Sequence, residues 1–94
     1  MIRNTSEEAA KAVRRSTEVC QELDIQPYVL KFWEAEFPQL SRRIGPKRLY
    51  GPEDFRIAQS IKRLLQDDGL TLAEAREEIA GQLSRAEFGA TATS

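Results

Sequence analysis

Ninety-four residues, 40% of them hydrophobic and 31% charged, set the scale of one domain with one modest core. No apolar run approaches the roughly 18 residues of a membrane span, and the opening MIRNTSEEAAK has no basic-then-apolar leader, so a cytoplasmic location is expected. With a single cysteine, Cys20, and no histidine, an internal disulfide is excluded and the commonest metal ligand and near-neutral acid–base group are missing. There is also no glycine-rich phosphate loop and no nucleophile with a base partner, so neither a cofactor nor enzymatic activity is expected.

Thr5 and Glu8 have the spacing of a capping box, and Glu-Glu-Ala-Ala-Lys-Ala follows, which predicts a helix over residues 4–14. Its apolar face of Ala9, Ala10 and Val13 is thin, so this segment frays, leans on the domain or serves a partner. Val19, Cys20 and Leu23 make the inward side of a helix at about 17–23, with Cys20 as a small buried residue. Ser16 is the candidate cap; without that cap the helix runs on from the N-terminal one. In the turn that follows, Asp24 suits a left-handed backbone.

Pro27 opens a second helix, at about 27–37, because its missing amide is not needed in a first turn. Val29, Leu30, Trp33 and Phe37 recur on one side and need a core, while Tyr28, Lys31 and Phe32 fall on the other. After Phe37-Pro38 ends this helix, Gly45-Pro46 signals a turn between Arg42-Arg43-Ile44 and Lys47-Arg48-Leu49-Tyr50, which predicts a β-hairpin at about 42–50. Arg42, Arg43, Lys47 and Arg48 lie within seven residues that hold no acid, so a helix beside a basic ribbon suits a nucleic-acid groove. The net charge of −1 opposes that reading only in total, because the acids collect elsewhere, at Glu7-Glu8, Glu53-Asp54, Asp67-Asp68 and Glu77-Glu78.

Pro52 with Glu53 and Asp54 starts a third helix at about 53–66, where the acids favour the positive end of the dipole. Ile57, Ala58, Ile61, Leu64 and Leu65 give it the cleanest apolar stripe in the chain. Off that stripe, Arg56 is within reach of a phosphate, whereas Lys62 and Arg63 read as solvated. Thr71 and Glu74 form another capping box, opening a helix at about 72–83 with Leu72, Ala75 and Ile79 inward. The expected organisation is an N-terminal arm or extra helix at 1–15, a core domain at 16–83 and a polar, flexible tail at 84–94.

Four runs together carry a resemblance: Glu18-Val19 with Leu23, Val29-Leu30-Lys31-Phe32-Trp33-Glu34, Arg48-Leu49-Tyr50, and Gly69-Leu70-Thr71-Leu72 with Glu74. From about Arg15 to Ile79 the chain resembles the DNA-binding domain of the MerR family of bacterial-type transcriptional regulators. The resemblance implies a mainly α, winged helix-turn-helix fold that binds double-stranded DNA, with the second helix as recognition helix in the major groove and the hairpin as a wing on the neighbouring backbone or minor groove. By the resemblance, Gln26, Pro27 and Tyr28 lie at the groove edge. Lys31 and Phe32 take the family's basic and aromatic DNA-facing positions, and Arg43, Lys47 and Arg48 act from the wing. Arg42 and Arg56 complete the expected set of DNA-binding residues. Lys31 replaces a more usual arginine and so presents a point charge rather than a planar fork.

Family members pair through a long C-terminal helix, and nothing after Leu83 has heptad character, nor is a small-molecule effector domain visible. A homodimer or protein partner would then use the N-terminal helix. Two alternatives are an excisionase-like architectural DNA-binding protein and a protein-interaction module on the same fold, the second suited by the acidic total charge and by Tyr28 and Phe32.

Overall fold

A computed structural model describes residues 13–85. Most of the expected N-terminal helix and the tail beyond Arg85 lie outside the described residues. In chain order the elements are β1 (Arg14–Arg15), α1 (Ser16–Leu23), α2 (Pro27–Glu36), α3 (Pro38–Ile44), β2 (Leu49–Tyr50), α4 (Pro52–Lys62), a π-helical turn (Arg63–Asp67) and α5 (Leu72–Ser84). The predominance of helix over one short antiparallel strand pair is the winged helix-turn-helix class that the sequence predicts. None of these helices is long and apolar enough to cross a membrane.

α1 and α2 form the helix-turn-helix. Arg15, not Ser16, is the N-cap of α1: it is extended (φ −81°, ψ 161°) and its amide donates to Glu18 Oε1 at 2.7 Å. Arg15 is also paired in β1, so α1 begins afresh and does not continue an upstream helix. Asp24 takes the left-handed conformation expected of it (φ 58°), and the Ile25 amide closes the end of α1 on the Cys20 carbonyl at 3.0 Å.

The wing differs from the predicted hairpin. Residues 38–44 are helical, with Pro38 at the first position of α3, where it needs no amide partner. Pro38 therefore ends α2 and starts α3, with Phe37 as the joint (φ −116°, ψ 89°). Burial of Phe37, Leu40 and Ile44 shows why the segment is helical: their spacing puts all three on one face toward the core. The Gly45-Pro46 turn is present, its Arg48 amide donating to the Gly45 carbonyl at 3.1 Å. β2, however, pairs with β1 in an antiparallel ladder, Arg14 opposite Tyr50 and Arg15 opposite Leu49.

One core joins these elements. Val19, Cys20 and Leu23 of α1 meet Leu30 and Trp33 of α2, Phe37, Leu40 and Ile44, then Tyr50, Phe55, Ile57, Ala58, Ile61 and Leu64, with Ala75 and Ile79 of α5. Burial pushes the Cys20 thiol above its ordinary range, which keeps it protonated and inert. Lys62, read from the sequence as solvated, instead donates to the Leu23 carbonyl at 2.6 Å and so closes the C-terminus of α1 from α4. At α5 the capping box forms in both directions, Glu74 N to Thr71 Oγ1 at 3.1 Å and Thr71 N to Glu74 Oε1 at 2.9 Å.

Candidate nucleic-acid interface

α2 divides its side chains sharply. Leu30 and Trp33 are buried, whereas Tyr28 is 73% exposed, Phe32 50% exposed, and Lys31 and Ala35 also face solvent. Positions 28, 31, 32 and 35 are helical neighbours, so they make one outward surface. Gln26, the extended N-cap, and Pro27 are exposed at its leading end. This surface holds no acid: Glu34 lies inward at 8% exposure, and Glu36 is paired with Arg76 at 3.1 Å.

Glu34 is the hinge pin between α2 and the turn at 45–48. Arg48 Nε donates to its Oε1 at 2.7 Å, Arg48 Nη2 to its Oε2 at 3.1 Å, and the buried Tyr50 hydroxyl to Oε2 at 2.6 Å. The arrangement is a bidentate guanidinium fork plus a phenol on one carboxylate. Arg48 adopts a left-handed backbone (φ 54°), an uncommon conformation for a side chain of its size, and its fork holds it there. These hydrogen bonds also push the Arg48 guanidinium above its ordinary range.

A second clamp joins the end of α3 to the start of α4. Arg43 Nε donates to Asp54 Oδ1 and Nη2 to Glu53 Oε1 at 2.6 Å, while Asp54 Oδ2 accepts from the Gly51 amide at 2.9 Å. Asp54 is buried, so it caps its own helix and fixes α3 with the same carboxylate.

The basic run therefore separates into two kinds of residue. The guanidinium groups of Arg43 and Arg48, expected on DNA, are committed to internal carboxylates. Arg42 and Lys47 are exposed, as are Lys31 and Arg56, and none of the four has an ion-pair partner among the described residues. Lys47 also lines an open cleft of about 430 Å³ with Arg15, Ser16, Thr17, Arg48 and Leu49. Arg15 is a cation that the sequence reading missed; only the pairing of β1 with β2 brings it beside the turn.

The sequence model of the MerR HTH family of regulatory proteins matches residues 14–82, from the first strand nearly to the end of α5. The chain belongs to that family. Searches of curated proteins and of solved structures gave no match. As a MerR domain it is a DNA-binding module of the transcription-regulator class, and its partner is double-stranded DNA.

The Glu34 cluster gives the MerR domain a specific response to alkali. Burial first, and then the hydrogen bond to Glu34, push the Tyr50 phenol far above its ordinary value of 10.0. Above about pH 10 the unfolded chain loses this proton while the folded domain keeps it, so stability falls as pH rises. The expected loss from this group is about 1 kcal/mol between pH 10 and 11, steepening toward about 1.4 kcal/mol per pH unit above that, and almost none below about pH 9. Urea unfolding of wild type and Tyr50→Phe across pH 8–11 measures it, with the slope reduced by that amount in the variant.

Proposed function

We propose that the chain is a sequence-specific transcriptional regulator whose α2 enters the major groove of duplex DNA. Gln26, Pro27 and Tyr28 approach the groove edge, and Lys31 grips a phosphate while Phe32 faces the bases. The turn at 45–48 lies on the adjacent backbone through Lys47, with Arg42 and Arg56 supplying further phosphate contacts. Arg43 and Arg48 serve this interface from behind, by fixing α3 and the turn on their carboxylates.

The observation that carries the reading is the acid-free outward surface of α2, set in a domain whose exposed cations Lys31, Arg42, Lys47 and Arg56 lack carboxylate partners among the described residues. Several acids are meanwhile paired within the domain, Glu34 with Arg48, Glu36 with Arg76, and Glu53 and Asp54 sharing Arg43. A net charge of −1 is thus compatible with a locally positive face.

Fluorescence-anisotropy titration of the purified chain against labelled random-sequence duplex, across a salt series, tests the reading. Binding that weakens with a log–log slope of several units, and a preferred sequence recovered from a random pool, are expected. A folded sample that binds no duplex at low salt would remove the proposal.

A further inference from the structure

The outward surface of α2 is short of the groups that read bases by hydrogen bonding. Arginine or lysine on guanine, and asparagine or glutamine on adenine, are the usual pairs, and of these Pro27–Glu36 contains only Lys31. A carboxylate accepting from cytosine would have to be Glu34 or Glu36. Glu34 is buried under Arg48 and Tyr50, and Glu36 is held by Arg76. Gln26 precedes the helix, and Lys31 offers a point charge without the fork that discriminates one base from another.

What the surface does present is apolar: the ring of Phe32, half exposed, with the methyl of Ala35 one turn on and the ring of Tyr28 one turn back. An exposed aromatic at the centre of a DNA-facing helix has one apolar feature in the major groove to meet, the 5-methyl group of thymine. We infer that Phe32, flanked by Ala35, reads thymine through its 5-methyl group, so the preferred site carries thymine opposite the middle of α2. The inference rests on the groove placement of α2 proposed above and adds the chemistry of the reading. It makes Phe32 a specificity residue and Lys31 an affinity residue, two roles that one helix face keeps apart.

Deoxyuridine tests this, because it differs from thymidine only by the missing methyl. The preferred duplex is recovered from a random pool with the full chain, each thymine is replaced in turn by deoxyuridine, and affinities are measured for wild type and Phe32→Ala. Phe32 is half exposed, so the variant is expected to fold, which circular dichroism checks. One or two positions are expected at which deoxyuridine weakens wild-type binding about fourfold, the worth of one buried methyl, and at which Phe32→Ala no longer distinguishes the two bases. Uniform tolerance of deoxyuridine in a duplex that is still bound overturns the inference and leaves DNA binding standing. A methyl effect that persists undiminished in Phe32→Ala also overturns it, since another group or the DNA's own shape then does the reading. Failure of the folded wild type to bind any duplex overturns the groove placement itself.

Discussion

Glu34→Ala is expected to destabilise the domain by about 3 kcal/mol and to lower its melting temperature by roughly 10–20 °C. The change removes one acceptor group from three donors at once. The Tyr50 hydroxyl, fully buried, loses its partner, and an unsatisfied buried hydroxyl costs about 1–3 kcal/mol. Arg48 loses both arms of its fork. Breaking a fully buried ion pair costs about 3–5 kcal/mol, but the Arg48 side chain keeps 35% of its exposure and regains water, so the lower part of the combined range applies. The left-handed Arg48 backbone also loses the contact that restrains it, which loosens the turn carrying Lys47. Thermal unfolding followed by circular dichroism gives the answer, with Glu34→Gln as a milder variant that keeps an acceptor for the phenol. A double-mutant cycle with Arg48→Ala should return a coupling above about 1 kcal/mol. If Glu34→Ala melts within a degree or two of wild type, the cluster does not hold the turn.

Residues of the proposed interface were legible in the sequence, as to burial and pairing, to different depths, and the reason is physical. Helical periodicity alone separates Trp33 and Leu30 from Tyr28, Lys31 and Phe32, because it depends only on 3.6 residues per turn and on a core existing somewhere. The same local rules place Pro27, Asp24 and the Thr71–Glu74 box correctly, since each acts within four residues of itself. Pro38 misled the reading because proline can both end one helix and begin the next; the Phe37, Leu40, Ile44 spacing favoured a helix there. The partner of β2 had no signature at all, for a two-residue strand is too short to alternate. Arg43 and Arg48 were indistinguishable from Arg42 and Lys47 for a related reason. Their carboxylates lie 10, 11 and 14 positions away, and only the packing of α3 on α4, and of the turn before β2 on α2, brings them within reach. Whether a cation is free or paired is a tertiary property.

That division among the cations predicts opposite behaviour for residues as little as four positions apart, Arg43 and Lys47. Lys31→Ala and Lys47→Ala together should leave the melting temperature unchanged, because both side chains are exposed and neither has an ion-pair partner among the described residues. Their effect should fall on DNA instead. Each phosphate contact removed lowers the log–log salt slope by about 0.9, so the pair should reduce it by nearly two units, with affinity at 0.1 M salt falling about five- to tenfold per lysine. Arg43→Ala should do the reverse. It leaves Asp54 buried without its guanidinium and frees the end of α3, so it should lower the melting temperature while the salt slope of the remaining folded protein stays near that of wild type. Anisotropy titrations at four or more salt concentrations, run beside thermal melts of the same samples, separate the two effects. A double lysine variant with the wild-type slope would mean that neither side chain meets a phosphate. An Arg43→Ala variant that keeps its stability but loses slope would return Arg43 to the interface, since its tie to Asp54 would then be one that DNA can displace.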